Sequence, residues 1–229
     1  MNRILYFIVI LVVLAAAIPA FAVTRFYLPS SGTSDITPTF ETGAAGWTDI
    51  LTATPGHLRC RRVLTYTATG TKSSLAATIG RFLFNQYVSD PIAAQTIGGG
   101  VSGEMAGIVS HTSGVTAYTA IIIKVVSNNG STTRGTLLSM KQGNTVIPPT
   151  TAAGRWTPPP TTLNTVTSEN GDRIVIEVGV TAEVMNNPRL ATCTYLDNST
   201  DLTEGGASTL NPWVEFNQDI LFPSVTMIE

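Results

Sequence analysis

The sequence predicts an all-β protein, and three observations predict it. After residue 22 no segment sustains the 3.6-residue apolar period of an amphipathic helix, whereas two-residue alternation and short apolar runs recur throughout. Thr, Ser, Gly and Val are abundant while only 12% of residues are charged, a composition whose β-branched and hydroxylated side chains suit a pleated, half-solvated surface. Clusters of Gly, Pro, Asn, Asp and Ser punctuate the runs, as turns between strands require.

Taken in order, Arg62 to Thr69 alternates, with Leu64, Tyr66 and Ala68 on one face and Val63, Thr65 and Thr67 on the other. Ile79 to Val88 places Phe82 and Phe84 on a single face. After a turn at Ser89-Asp90-Pro91, the cluster Gly98-Gly99-Gly100 leads into Val101 to Ser110. It lacks the Lys-Ser/Thr ending of a phosphate-binding loop and reads as a strand corner. Ala120 to Ser127, with Ile121-Ile122-Ile123 and Val125-Val126, is apolar on both faces and suits a central strand. Asn128-Asn129-Gly130-Ser131 supplies residues that tolerate positive φ in a tight hairpin, returning along Thr132 to Lys141.

Residues 144–164 are dominated by Pro and Thr, including Pro148-Pro149 and Pro158-Pro159-Pro160, and proline removes ladder donors. This stretch reads as a long surface loop and not as a linker between domains. The reason is the next strand, Asp172 to Ala182, which aligns Ile174, Ile176, Val178 and Val180 and needs the earlier strands to cover it. Leu190 to Leu196 and Pro212 to Phe222 bring the count to about eight to ten strands, which fits an antiparallel β-sandwich of two sheets, jelly-roll-like in its packing.

The chain begins Met1-Asn2-Arg3, runs apolar from Ile4 to Ile18, and continues Pro19, Ala20-Phe21-Ala22. A short basic end, an apolar stretch of this length and small residues at an A-x-A site predict a signal peptide over residues 1–22, cleaved after Ala22. The alternative is an uncleaved anchor, which reaches spanning length only by counting through Pro19, with Arg3 on the cytoplasmic side. Either way residues 23–229 are translocated as a single β-sandwich domain, secreted to the extracellular space or cell envelope. A membrane contact follows only if the segment is retained.

Without Arg3 the translocated part carries 12 basic and 15 acidic residues, an unrewarding surface for the phosphates of nucleic acid. A sparsely charged exterior lowers the cost of desolvating an interface, so the expected partners are copies of the chain, as a homo-oligomer, or other structural proteins.

Several short stretches resemble a loosely defined group of phage and prophage proteins: Phe26-Tyr27-Leu28-Pro29-Ser30-Ser31-Gly32 with Trp47 following, Gln86-Tyr87-Val88-Ser89-Asp90-Pro91, Gln95-Thr96-Ile97, Val126-Ser127 through Asn129-Gly130-Ser131, Arg134-Gly135-Thr136-Leu137-Leu138, Gly171-Asp172-Arg173 and Asn211-Pro212-Trp213-Val214-Glu215-Phe216. They span nearly the whole translocated chain in order. The resemblance implies a virion-associated β-sandwich, a structural protein of a head or tail surface. The signal peptide departs from that pattern, since virion parts assembled in the cytosol need no export, and it points to a secreted cellular or prophage-derived version. Phe40-Glu41-Thr42-Gly43-Ala44-Ala45-Gly46-Trp47 is similar to the opening of jelly-roll carbohydrate-binding modules, which implies the same jelly-roll architecture; glycans stand as an alternative partner.

No motif announces catalysis, and the expectation is a protein that is not an enzyme. Gly100-Val101-Ser102-Gly103 stops at Glu104, short of a nucleophile elbow. The histidines are His57 and His111; His57-x-x-Cys60 has metal-like spacing but no second close pair. Glu104, Glu177 and Glu215 sit at strand-like positions and read as solvent-facing, with glycoside hydrolysis a third alternative. Asp197, Ser199, Asp201 and Glu204 offer alternate oxygens of the kind calcium prefers, against an ordinary polar turn; Leu202 occupies the place where an EF-hand needs Gly. No other cofactor is expected. Trp156, beside Arg155 in the proline-stiffened loop, is the candidate for stacking on a sugar, with a loop anchor or subunit contact as the plainer role, whereas Trp47 and Trp213 read as core. Cys60 and Cys193 either close a long loop as a disulfide, stabilising by about 4–5 kcal/mol, or stand as two separately buried thiols.

Overall fold

Alternation along the chain becomes strand after strand in the computed structural model, which describes residues 23–29, 31–48, 55–63, 70–74, 79–107, 115–144, 146–147, 154–155, 161–185, 191–195 and 212–224. No described residue is helical, and none of the described segments is a helix long and apolar enough to cross a membrane. The strands are β1 (Thr24–Tyr27), β2 (Gly56–Arg59), β3 (Gly70–Ser74), β4 (Gly80–Val88), β5 (Gln95–Ile97), β6 (Gly100–Glu104), β7 (Ala106–Gly107), β8 (Val115–Val126), β9 (Thr133–Gln142), β10 (Gly154–Arg155), β11 (Thr161–Thr162), β12 (Val166–Ser168), β13 (Arg173–Met185), β14 (Ala191–Tyr195) and β15 (Trp213–Phe216). The described residues thus hold fifteen strand segments, five of them only two or three residues long, against the eight to ten expected.

A five-stranded sheet is ordered β2-β4-β13-β8-β9, and a four-stranded one β1-β15-β6-β11. β3 with β14, β5 with β12 and β7 with β10 form two-stranded ladders. Every ladder is antiparallel except β2 with β4, which is parallel, so the expectation of purely antiparallel sheets is corrected there. The physical reason is the connection: residues 60–79 are long enough to carry the chain back to the same end, as a parallel pair demands.

β8 and β9 form the predicted hairpin. Gly130 takes φ 75°, a left-handed conformation that favours glycine, and its N–H donates to the Ser127 carbonyl at 2.8 Å. Within the five-stranded sheet the register between β13 and β4 slips at Val178/Gly179, passing over Phe84 as a bulge.

One apolar cluster draws Phe26, Val101, Val214 and Phe216 from the four-stranded sheet and Phe82, Phe84, Tyr87, Ile121, Ile123, Ile174, Ile176, Val178 and Val180 from the five-stranded sheet. Two sheets sharing one dry layer make the fold β-sandwich-like. The aligned residues of β13 and the paired phenylalanines of β4 lie in it as their spacing predicts.

Other expectations are trimmed. Arg62 and Val63 form a bend and residues 64–69 lie outside the described residues. The run from Val101 divides into β6 and β7, and the glycine cluster is a corner between β5 and β6. The signal segment, residues 1–22, lies outside the described residues.

Candidate functional site

Because side chains alternate along a strand, the row of β13 opposite its core residues is Arg173, Val175, Glu177, Gly179 and Thr181, and it faces away from the shared core. Cross-strand register puts His57 of β2 beside Gln86 of β4, Gln86 beside Glu177, and Glu177 beside Ile122 of β8. Lys124 pairs with Val175, one step along the same face. Residues 34–48 cross this face as a covering strap.

Apolar contacts seal the strap on both sides of the polar row. Trp47 packs with Leu83, Ala120 and Ile122, flanked by Phe40 and Met140, and Ile36 packs on Val88, Val126 and Val175. Gly179 makes the close approach feasible, since a Cβ there would sit 2.7 Å from the Trp47 ring and 2.0 Å from the Phe82 carbonyl oxygen. The Phe40 ring stacks on His57 with centroids 4.7 Å apart and planes 12° from parallel.

Between these seals lies a closed network of polar groups. Glu177 is fully buried and Lys124 is 2% exposed. The carboxylate accepts from Trp47 Nε1 at 2.8 Å, Gln86 Nε2 at 2.9 Å, the Glu41 backbone N–H at 3.1 Å and Lys124 Nζ at 3.0 Å. Lys124 Nζ also donates to the Thr39 carbonyl at 2.7 Å and approaches Glu41 Oε2 at 3.5 Å. Gln86 Oε1 lies 2.8 Å from His57 Nδ1. That oxygen carries no hydrogen, so His57 holds its proton on Nδ1 and donates. Two opposite charges taken out of water survive only when paired and hydrogen-bonded at every position, and this pair is.

The strap is also tied at its ends. Arg173 grips Asp35 with Nη1 and Nη2, at 3.3 and 2.7 Å, and Arg81 reaches the carbonyls of Ala44 and Gly43 at 3.0 and 3.1 Å. Partial burial works to raise the Asp35 carboxyl pKa, and the Arg173 hydrogen bonds and charge outweigh it, holding it below the ordinary aspartate value.

Chemically, a carboxylate, an amine, a carboxamide and an imidazole joined in one chain are acid–base machinery. Glu177, Gln86 and Lys124 are buried beneath the strap, whereas His57 is half-buried at its edge. The expectation that Glu104 and Glu177 face solvent is corrected: both are fully buried, Glu177 because its partners replace water. Glu215 is partly buried and pairs with Arg25 at 2.8 Å. Glu104 and Glu215 belong to the four-stranded sheet and Glu177 to the five-stranded one, so the three do not share a strand layer.

His57 and Cys60 do not converge. His57 engages Gln86 and Phe40 on the strap face, while Cys60 is in the shared core. Among the described residues no three His, Cys, Asp or Glu are grouped to hold a metal. Cys60 is a free, buried thiol, and burial pushes its pKa well up, with the Asp90 charge adding to it. Cys193 is on β14 in register with Lys72, and its side chain is outside the described residues. Arg155 is on β10 opposite Ala106, with its side chain likewise outside; Trp156, Asp197, Ser199, Asp201, Glu204 and His111 also lie outside the described residues. Trp47 and Trp213, each 1% exposed, are core residues as expected.

Sequence reasoning missed Lys124 and the pairing role of Glu177. The signal was present: a lone charge inside Ile121-Ile122-Ile123-Lys124-Val125-Val126, and another inside Ile174-Val175-Ile176-Glu177-Val178. One charge in each of two two-sided apolar strands marks a buried pair, because neither alone bears the cost of burial. No family model and no curated protein matches the chain.

Proposed function

We propose that the protein is a non-enzymatic, exported structural component with jelly-roll-like architecture, which acts by packing against copies of itself or other proteins of an extracellular or virion-like assembly. The observation that carries this reading is the closure of the Glu177–Lys124 network: the densest group of reactive side chains among the described residues is spent on pinning a strap to a sheet. A site for external substrate would leave such groups open in a concave pocket.

Further support comes from the low charge of the chain and from apolar side chains left in water, with Val63 74% and Ile79 68% exposed. The jelly-roll-like description is favoured by the ladders that join distant strands, β1 with β15 and β4 with β13, in the manner of Greek-key connections. The alternative of a carbohydrate-binding module rests on Trp156, which lies outside the described residues.

Sedimentation velocity and electron microscopy of the full chain, expressed with its N-terminal segment, test the proposal. Concentration-dependent association into regular oligomers or larger arrays is the expected result. A monomer at every concentration, with saturable binding on a glycan array that Trp156→Ala removes, overturns it in favour of a carbohydrate-binding module.

A further inference from the structure

We propose that Lys124 and Gln86 become joined by an intramolecular amide bond, with Glu177 carrying the protons. The juxtaposition is specific. An amine from β8 and a carboxamide from β4 meet over β13 at one oxygen, Glu177 Oε1, 3.0 Å from Lys124 Nζ and 2.9 Å from Gln86 Nε2. Gln86 and Glu177 are fully buried and Lys124 is 2% exposed. Holding both groups on one carboxylate oxygen within a single fold replaces a bimolecular encounter with a unimolecular step.

Each atom of the reaction has a neighbour suited to it. Glu177 takes one proton from the Lys124 ammonium, leaving a neutral amine whose lone pair attacks Gln86 Cδ. Negative charge then grows on Gln86 Oε1, where His57 Nδ1–H already donates at 2.8 Å. Collapse of the adduct breaks the Cδ–Nε2 bond, and the second amine proton passes by way of Glu177 to the departing nitrogen, which leaves as ammonia. The sum is ammonium, carboxamide and carboxylate giving secondary amide, ammonia and a protonated Glu177, so no unpaired charge stays buried. No oxidant or cofactor enters. Trp47 and the strap keep bulk water from competing as the nucleophile.

Such a bond ties the two strands that flank β13 and would harden the sheet. It goes beyond the packing role and is read independently of it, since self-association and cross-linking are separate measurements.

Peptide mapping by mass spectrometry of the folded full chain, expressed with its N-terminal segment, tests the bond. The expected result is loss of one ammonia and a branched peptide joining the Gln86 segment to the Lys124 segment, with trypsin failing to cut after Lys124. Succinimide formation at the exposed Asn129-Gly130 turn removes the same ammonia but joins nothing, so the branched peptide decides. Glu177→Gln, of similar shape, is expected to leave both residues unlinked. The proposal is overturned by folded wild-type chain in which Lys124 and Gln86 stay free after long incubation, by Lys124 joined to Glu177 with loss of water, or by a link that forms equally fast in Glu177→Gln.

Discussion

The two faces of the five-stranded sheet are built from alternate residues of the same strands and held by opposite physics. On one, Ile174, Ile176, Val178 and Val180 of β13 enter an apolar layer shared with the second sheet. On the other, Arg173 and Glu177 meet a strap through charges and hydrogen bonds, and Thr181 donates to Gln142 of β9. The apolar face tolerates approximate fit, since dispersion and burial are non-directional. The strap face does not, because one missing partner strands a buried charge. Neighbouring positions in sequence therefore face very different tests.

Glu177→Ala gives the sharpest contrast. It leaves Lys124 buried beside an empty place, and a loss of about 3–5 kcal/mol is expected in urea unfolding. Replacing both partners together, Lys124→Met with Glu177→Leu, is expected to recover most of that loss. A double variant as unstable as the single one would show that the charges do more than neutralise each other. Ile176→Ala, one residue away on the apolar face, is expected to cost about 2–5 kcal/mol through a cavity, with no partner change able to restore it.

Trp47→Phe keeps one aromatic ring and removes both the indole N–H that reaches Glu177 and part of the packed surface. A loss of about 1–3 kcal/mol is expected from the same unfolding curves, and an unchanged midpoint would mean that the indole N–H contributes nothing to holding the strap. Smallest is the Asp35–Arg173 tie, since Asp35 is exposed and screened. Arg173 holds the Asp35 carboxyl pKa low, so its contribution is complete above the ordinary aspartate range and fades below about pH 4 as the folded-state value is crossed. Asp35→Asn is expected to flatten that acid limb slightly in pH-dependent melts; an unaltered limb would remove Asp35 from the account.

The strand content was legible because alternation is local: Phe82 with Phe84, and Ile174 through Val180, each report a face without knowledge of any partner. The hairpin at Asn128 to Ser131 was legible for the same reason, its turn residues and flanking strands being contiguous. The parallel entry of β2 was not, since direction is set by where residues 60–79 return the chain. The network was half legible. Lys124 and Glu177 each stand out as a charge within an apolar run, but they are 53 positions apart in sequence and nothing local says they meet. Trp47 was legible as a core residue, but nothing local said that with Phe40 it would close a strap over β13.

By itself the sequence determined an all-β chain of low charge and the faces of its long strands. Tertiary structure alone decided that residues 34–48 lie over β13, that Glu177 and Lys124 are one buried pair, and that Gln86 and His57 complete it. Side-chain alternation is a property of neighbours along the chain. The energy of a buried charge depends on atoms brought from four separate segments, and only the folded register places those side by side.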